Sequence, residues 1–414
     1  MSIGEIALGP RTQAPGGQRR TGARTAARTG PALRYLSVAG VLVLVNWFAA
    51  SFWAGSTVFG ARPPMRFAGD RLLGGWVQWD GTWYRAIATD GYTYTPGRAS
   101  SVAFFPGYPL AMRLLGHVVG DPLLAGVLIT LVSGLLAALL LHRFTRDHLG
   151  TSTARIAVVA LLAYPYAWYL FGAVYSDALF LAAVLGAFVL AEADHPLLAG
   201  LCGALATATR PVGIAVVIGL VALEVVRARA RGRPRRLDLA LVSVGGLVAW
   251  CTYLWRSFGD PLLFMRVEGA PGWDESPGPR TLFKVSWFQH LSHVPEDLAH
   301  RTDPQAWFKL TYAAGTLFQA VLAVGALALV PRIDRRLGRP YAIYTAVAVG
   351  IAIVGSKDFQ GVGRYLLAAF PVFVALADLV ATRLGHRGRV TLAVSSAGLL
   401  VFLTSAYARG HYLA

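Results

Sequence analysis

Carboxylates and arginines recur in the polar interruptions between long apolar blocks of this sequence, and aromatic residues flank them. The groups are Trp79-Asp80, Tyr175-Ser176-Asp177, Thr209-Arg210-Pro211 and Gly363-Arg364-Tyr365. A carboxylate within roughly 2.6–3.2 Å of a hydroxyl oxygen can take its proton as a general base. An arginine holds a phosphate with a fork of N–H donors. Asp80, with Arg210 or Arg364, therefore predicts transfer of a phosphate-linked group to a hydroxyl.

The apolar blocks that must position these residues indicate a membrane protein. Of the 414 residues, 55% are hydrophobic and only 14% are charged, whereas soluble domains are about 25% charged. About 20 helical residues cross a bilayer, and the blocks lack the alternation of barrel strands. We predict an all-α polytopic fold of about eleven transmembrane helices. The blocks are 35–53, 121–142, 156–171, 174–193, 196–209, 211–228, 238–256, 307–331, 341–355, 365–383 and 390–408.

The arginine clusters predict how this chain is oriented. The net charge is +17, and the arginines lie in short clusters between blocks, which disfavours nucleic-acid binding. Eleven crossings put every strong cluster on one side, as the positive-inside rule requires. The N-terminus is then cytoplasmic, in a multi-pass protein of the plasma membrane, and the polar groups above face the extracytoplasmic side. Membrane lipids are accordingly expected partners.

Two long loops on the outer side follow from the same count, 54–120 and 257–306. The segment Phe104–Val119 is apolar, but a crossing there would reverse the later clusters, and Pro106 and Pro109 disfavour a continuous helix. We therefore expect amphipathic or re-entrant helices in the first loop. Residues 1–33 are predicted to be a disordered basic cytoplasmic tail, and 34–414 a single transmembrane domain.

The expected donor follows from the side of the membrane. Nucleotides are scarce outside the cytoplasm, and the sequence has neither GxxxxGK nor GxGxxG, so a lipid-phosphate-linked sugar is the natural donor. The histidines of the second loop, His290, His293 and His300, lack the HExxH spacing. We expect neither a metal nor a cofactor.

Three stretches also resemble a known family. Trp79-Asp80, Gly91-Tyr92 and Ala103-Phe104-Phe105-Pro106-Gly107-Tyr108-Pro109 are similar to the first lumenal loop of PIG-V-type mannosyltransferases, which belong to the GT-C superfamily. Tyr175-Ser176-Asp177 resembles that family's Tyr-Ser-Glu, and Ala208–Gly213 resembles its Thr-Arg-Ser-Asn-Gly stretch. The sequence departs from the family at Thr95, where an acidic residue is usual, and at Pro211-Val212, which replace Ser-Asn.

The resemblance implies a GT-C-like fold, an inverting mechanism, a polyprenyl-phosphate-mannose donor and Asp80 as the catalytic base. The acceptor would be an envelope glycolipid or glycan in a bacterial member. We expect Arg210 and Arg364 to neutralise the donor phosphate, and Asp177 to assist the acceptor or orient the first loop. The remaining expected substrate-binding residues are aromatic: Trp79, Tyr92, Phe105 and Tyr108.

Other interpretations of the same residues stay open at this stage. Asp80 and Ser176-Asp177 also suit helix caps, the tryptophans suit interfacial anchors, and Arg210 and Arg364 suit snorkelling side chains. A transporter or flippase of lipid-linked sugars would use a similar face, although no internal repeat is evident. An inactive scaffold subunit of envelope assembly is the third alternative.

Overall fold

The computed structural model describes residues 30–53, 72–232, 234, 238–271, 273, 275 and 278–413. Most of the predicted basic tail, residues 1–29, lies outside the described residues, as does the part 54–71 of the first long loop. Arg233, Arg235 and Arg236 of one basic cluster also lie outside them.

The described chain is helical, and the helices are joined by turns and short 3-10 segments. The first nine helices are α1 Pro31–Phe52, α2 Asp80–Asp90, α3 Gly107–Val119, α4 Pro122–Leu162, α5 Asp177–Glu192, α6 Pro196–Thr209, α7 Ile214–Ala230, α8 Asp238–Phe258 and α9 Leu263–Val267. The others are α10 Pro279–Leu282, α11 Val285–Ser292, α12 Val294–Ala299, α13 Pro304–Ala328, α14 Val330–Arg336, α15 Arg339–Gly355, α16 Val362–Tyr365, α17 Phe370–Arg383 and α18 His386–Ala408.

Helix length and composition make this a multi-pass membrane protein. Within the described residues, six helices are long and apolar enough to cross a bilayer, or seven if α16 and α17, bent by 85° at their junction, form one broken span. The all-helical polytopic fold is therefore confirmed. The count of eleven spans is not, because α5, α6 and α15 are shorter than a bilayer crossing ordinarily needs; it stays a prediction.

Helix α4 joins the predicted block 121–142 to the start of the block 156–171. We expected a cytoplasmic loop between these blocks, but the chain stays helical through Arg143 and is interrupted only at Gly150, with φ 81° and ψ 167°. The Arg143 Nε atom lies 3.9 Å from the Asp147 carboxylate, one helical turn later. Local ion pairs of this kind stabilise polar helical turns, which explains why charge alone did not end the helix here.

Three helices run between two polar ends of the molecule. Helices α5 and α7 start beside Asp177 and Arg210, at what we call the site end. At the other end, the basic end, Arg227 Nη2 donates to the Glu192 carbonyl at 2.8 Å, and the Tyr341 hydroxyl near the start of α15 donates to the Glu192 carboxylate. The 17 residues of α7 separate the two ends by about 25 Å.

Helices α2 and α3 lie in the first long loop, where we expected amphipathic structure. Helix α3 buries Tyr108 and Met112 and exposes Leu110, Leu114 and Val118, which recur every fourth residue on one helical face. Its 13 residues reach only about 20 Å, too short to cross a bilayer. An exposed apolar ridge on a short helix suits a lipid-facing position at the membrane surface.

The core beneath the site end is built from an aromatic-rich connection between α4 and α5. Trp168, Tyr169 and Phe171 are fully buried there. The Tyr35 hydroxyl of α1 donates to the Leu170 carbonyl at 2.6 Å, which satisfies a buried backbone acceptor. This packed layer supports the turn that carries Tyr175 and Asp177.

Candidate active site

Two carboxylates and two arginines from four separate parts of the chain meet at the site end. Arg364 Nη1 donates to Asp80 Oδ2 at 2.9 Å, and Arg210 Nη1 donates to Asp177 Oδ1. The two pairs are adjacent, because Arg364 Nε lies 4.0 Å from Asp177 Oδ1. The four residues, which the sequence analysis placed on one face of the membrane, therefore meet in space, and their formal charges cancel.

Asp80 begins helix α2 after a strained residue. Trp79 has φ 50° and ψ −112°, a region that a bulky residue seldom adopts. Surrounding contacts hold it there: Trp79 Nε1 donates to the His411 carbonyl at 3.2 Å, and the Asp80 backbone N–H donates to the Tyr175 hydroxyl at 3.1 Å. Strain of this kind persists where the surroundings fix it, and it clusters at functional sites.

Arg364 lies in the single turn of α16, which the neighbouring helix fixes. The Gly363 N–H donates to Gln319 Oε1 at 2.8 Å, and the Tyr164 hydroxyl donates to the Gly363 carbonyl at 2.9 Å. A Cβ atom at Gly363 would lie 2.5 Å from a ring carbon of Tyr166. The absence of a side chain at Gly363 thus lets α16 approach the aromatic layer and positions Arg364 over the site.

Asp177 and Arg210 occupy helix ends that face one another. Asp177 is the first residue of α5, where a negative charge is favoured by the helix dipole. Arg210 follows the last residue of α6 and has extended backbone. The turn after it is tight, since a Cβ atom at Gly213 would lie 2.7 Å from the Ala206 carbonyl oxygen and from Cα of Thr207. The close approach of this turn to α6 positions the arginine.

Tyrosine rings surround both guanidinium groups. The Arg210 guanidinium lies 4.7 Å from the ring centroid of Tyr365, and that of Arg364 lies 5.0 Å from the same ring. Tyr175 lies 5.1 Å from Arg364 on another side. Cation–π contacts stabilise a desolvated arginine, so the rings help to keep both charges in a largely buried site.

Two polar atoms of this cluster are buried without a hydrogen bond. They are Oδ2 of Asp177 and Nε of Arg364. Unsatisfied buried polar atoms are uncommon and usually have a functional or structural reason. Here they belong to the two residues whose facing atoms are 4.0 Å apart, just beyond a hydrogen bond.

The ion cluster forms one wall of a cavity of about 1690 Å³. Asp80, Arg210 and Arg364 all line it, whereas Asp177 lies beneath them and does not. The Asp80 side chain remains 28% exposed, compared with 2% for Asp177. A substrate in the cavity therefore reaches Asp80 and the two arginines, whereas Asp177, expected to bind substrate, lies behind the arginines and contacts Arg210 and Arg364 instead.

An apolar part of the same cavity lies between α7, α8 and α15. Ile214, Leu247, Val347 and Ile351 line it. The cavity thus combines a charged wall with a hydrocarbon-like wall, as a site for a lipid with a charged head requires.

The expected aromatic residues divide between the cavity and the core. Phe105 lines the cavity. Trp79 packs its ring against Tyr412, with centroids 4.9 Å apart. Tyr92 packs against Trp250 at 4.6 Å, and the buried Tyr108 hydroxyl donates to the Gly126 carbonyl at 2.9 Å. None of Trp79, Tyr92 and Tyr108 lines the cavity, so the structure gives them supporting positions around the site.

The cavity is also lined by a second group of polar residues, which the sequence analysis did not identify. Glu268, Trp273 and Glu275 come from the second long loop, and Lys357 comes from the turn after α15. The Lys357 N–H donates to Glu275 Oε2 at 2.8 Å. Burial raises the pKa of Glu268 and of Glu275 to about 7. Three acidic residues and a tryptophan within the eight positions 268–275 were the available signal, but the segment has no hydrophobic periodicity that would predict a structural element.

The histidines of the second loop do not form a metal centre in the described part of the chain. His290 and His293 both line the cavity, yet no group of three or more His, Cys, Asp or Glu side chains there is arranged to hold a metal ion. His293 Nδ1 instead lies 2.7 Å from the Gln289 carbonyl of the preceding turn.

Comparison with known proteins bears on the part of the chain that carries Asp80, Asp177 and Arg210. Residues 64–228 match the family model described as Mannosyltransferase (PIG-V). The match covers less than half of the chain, which is therefore similar to this family over that segment. The family match thus covers three of the four residues of the ion cluster, and Arg364 lies outside it. No curated protein matches the chain.

Two solved structures are similar to this chain over most of its length. The oligosaccharyltransferase of Archaeoglobus fulgidus in the apo form is 14% identical, over 92% of this chain and 56% of that one, with a TM-score of 0.45. ArnT from Cupriavidus metallidurans bound to undecaprenyl phosphate is 15% identical, over 92% and 75%, with a TM-score of 0.48. The chain thus spans little more than half the length of the oligosaccharyltransferase.

Proposed function

We propose that this chain is an inverting GT-C-type glycosyltransferase that moves mannose, or a related hexose, from a polyprenyl-phosphate donor to a hydroxyl of an envelope glycolipid or glycan. One observation carries the proposal: a carboxylate, Asp80, and two arginines, Arg210 and Arg364, line the same cavity as an apolar wall. The family match over residues 64–228 supports mannose as the sugar.

Asp80 acts as the general base. Its Oδ2 atom accepts from Arg364, which fixes the carboxylate, and the side chain is exposed to the cavity. The acceptor hydroxyl gives its proton to Asp80 as its oxygen forms a bond to the sugar's C1 atom. The bond between C1 and the phosphate oxygen breaks, and the polyprenyl phosphate leaves with the electron pair. One displacement inverts the configuration at C1.

Arg210 is the main ligand of the donor phosphate. A guanidinium has five N–H donors, and among the described residues that of Arg210 donates only to Asp177. Arg364 already donates to Asp80 and, at 3.2 Å, to the Tyr365 hydroxyl. We therefore assign Arg210 to the phosphate and Arg364 chiefly to the orientation of Asp80, which refines the equal roles expected from the sequence.

The apolar part of the cavity would hold the first isoprene units of the donor. Ile214 follows Arg210 by four residues, and with Leu247 and Ile351 it lines this part. A chain lying there keeps its phosphate next to Arg210. Burial of isoprene carbons stabilises binding by about 25 cal/mol per Å² of apolar surface, which favours a lipid-linked donor over a soluble one.

The two polar ends support an active face outside the cytoplasm. Arg227 belongs to the basic end, and Arg34 donates to the Arg155 carbonyl at 3.2 Å, so several predicted cytoplasmic clusters are also neighbours in space. The positive-inside rule assigns this end to the cytoplasm. The site end, some 25 Å away along α7, then faces outward from the plasma membrane, and the N-terminus is cytoplasmic.

The test is Asp80→Asn in the full chain, purified and supplied with polyprenyl-phosphate-mannose that carries a labelled sugar and with membrane glycolipids. Loss of a general base lowers the rate by roughly 10²–10⁴-fold. Asp90→Asn, at the exposed end of the same helix, is the control and should keep full activity. Unchanged transfer by Asp80→Asn contradicts the assignment. If the wild-type chain moved the lipid-linked sugar across the bilayer without forming product, a transporter would be favoured. If it showed neither transfer nor flipping, a scaffold would be favoured.

A further inference from the structure

The second loop contributes a wall of the cavity that differs in charge from the arginine wall. We call Glu268, Trp273 and Glu275 the acidic strap; all three line the cavity that Asp80 lines. The Trp273 ring lies 5.9 Å from that of Trp83, which is in α2 one turn beyond Asp80. The strap is therefore next to the helix that carries the proposed base.

Contacts on its other side hold the strap to the turn before α16. The Lys357 N–H donates to Glu275 Oε2 at 2.8 Å, and Lys357 Nζ donates to the Trp273 carbonyl at 2.8 Å. Lys284 Nζ donates to the carbonyls of Ile353 and Ser356. Both ammonium groups are thus engaged by backbone oxygens, and neither is positioned primarily to neutralise a ligand's phosphate.

Glu268 has no such engagement. Its carboxylate accepts no hydrogen bond and forms no ion pair within the described part of the chain, although it lines the cavity and is only partly exposed. Burial and the nearby charge of Glu275 raise its pKa to about 7. The acceptor positions of Glu268 are thus open to the cavity, where the donors of a ligand can fill them.

Hydroxyl groups are the donors that this wall suits best. Carboxylate oxygens accept from adjacent hydroxyls, and an aromatic ring such as Trp273 packs against the apolar face of a pyranose. Above their pKa of about 7, both glutamates are ionised and would instead repel a phosphate or carboxylate ligand. The arginine wall, with Arg210, is the place for the anionic donor.

We propose that the acidic strap is the acceptor subsite and that it takes a neutral, hydroxyl-rich sugar in preference to a phosphorylated or carboxylated one. The inference rests on the proposed transferase function and deepens it by naming the acceptor class. Glu268 and Glu275 accept from sugar hydroxyls, Trp273 packs on the ring, and a further hydroxyl of the same sugar faces Asp80.

The test uses two photoreactive probes, an alkyl mannoside and the matched alkyl glucuronide, each with a diazirine, on the full chain in nanodiscs. Labelling needs no sugar transfer. Labelled peptides are mapped by mass spectrometry, and half-saturation is measured for each probe. At pH 8, where both glutamates are ionised, we expect the strap to be labelled and the neutral probe to bind at least about tenfold more tightly than the anionic one, because two like charges repel the latter.

Variants separate charge from shape. Glu268→Gln should improve glucuronide binding about fivefold, because it removes one like charge. Glu268→Asp keeps the charge but withdraws the carboxylate, and should weaken mannoside binding without admitting glucuronide. Trp273→Ala should weaken both probes about tenfold. The matched controls are Glu296→Gln and Trp307→Ala, exposed residues of the same chain region outside the cavity lining.

Binding of polyprenyl phosphate verifies that each variant is folded. Equal labelling by both probes, labelling elsewhere than the strap, or a Glu268→Gln result equal to that of Glu296→Gln overturns the proposal. If the strap is labelled as expected but no mannose is transferred to any acceptor, the sugar subsite stands and the proposed reaction fails.

Discussion

The Nε atom of Arg364 lies 4.0 Å from Oδ1 of Asp177, while Nη1 of the same guanidinium donates to Asp80 at 2.9 Å. One arginine is thus set between two carboxylates, bonded to one and just short of the other. Asp177 is meanwhile bonded to Arg210. Any anion that draws Arg210 away leaves Asp177 next to Arg364, so occupancy of the phosphate position and the environment of Asp80 are coupled.

Substitution of Arg364 distinguishes an orienting role from phosphate binding. If Arg364 orients Asp80, Arg364→Gln lowers kcat about 10- to 100-fold and changes the donor KM little, because the lost contact is to the base. Arg364→Lys keeps the positive charge but not the planar fork of donors, so it should retain only part of the rate. Steady-state kinetics with polyprenyl-phosphate-mannose measures both constants. A large rise in the donor KM at unchanged kcat would assign Arg364 to the phosphate instead.

Substitution of Arg210 should act on donor affinity. Hydrogen bonds to a charged group stabilise by about 1.5–3 kcal/mol, so Arg210→Gln raises the donor KM roughly 10-fold or more. The inhibition constant of free polyprenyl phosphate should rise in parallel. A parallel rise is the signature of a lost phosphate contact, and a change in kcat alone contradicts the assignment.

The double variant Arg210→Gln/Asp177→Asn tests the ion pair itself. Removal of Arg210 leaves the buried Asp177 charge with only Arg364 near it, and an uncompensated buried charge costs several kcal/mol. The double variant should therefore be more stable than Arg210→Gln alone, as judged by thermal unfolding in detergent. It should still bind donor weakly. Equal unfolding midpoints of the single and double variants would show that the pair does not contribute to stability.

Glycine at 213 should be required for the position of Arg210. In Gly213→Ala, the new Cβ meets backbone atoms of Ala206 and Thr207 at 2.7 Å, which forces the turn away from α6. We expect a raised donor KM and lower thermal stability. Gly398→Ala is the control, because that helical position has no atom within 4 Å of the new Cβ and alanine favours a helix by up to about 1 kcal/mol. Equal behaviour of the two variants would contradict the role of the tight turn.

The acidic strap predicts a pH dependence of stability. Burial raises the pKa of Glu268 and Glu275 from 4.5 to about 7 in the folded protein. Between these values the folded state binds more protons than the unfolded state, so stability falls as pH rises. The unfolding midpoint should decrease from pH 5 to pH 8. Glu268→Gln should reduce this decrease, and Glu296→Gln, at an exposed site, should not. Identical pH profiles of the two variants would contradict the raised pKa of Glu268.

The convergence of the charged residues was predictable, and their pairing was not. Counting arginine clusters grouped Asp80, Asp177, Arg210 and Arg364 at one face, because topology follows from charge and hydropathy. Which arginine bonds to which carboxylate depends on the angles of α5, α6 and α16, which local sequence does not determine.

The positions of the aromatic residues and of the second long loop were harder to predict from the sequence. Tyr92 and Tyr108 stand in the resembling motif, yet they pack in the core, because large buried rings serve equally well as support for a site. Trp273 and Glu275 are held at the cavity by contacts with Lys357, which lies over 80 residues later in the chain. Long-range contacts of this kind leave no periodic signal in the sequence.

The short length of α6, which exposes Leu197, Leu198 and Leu201, has a consequence for the surrounding lipid. Its 14 residues extend about 21 Å, whereas the hydrocarbon core of a bilayer is about 30 Å thick. A bilayer adapts to such a mismatch by thinning near the short helix. The headgroup plane would then dip toward Asp177 and Arg210, so that a phosphate carried by a lipid tail arrives at its ligand by lateral diffusion alone. Turnover should accordingly be faster in reconstituted membranes made of shorter acyl chains.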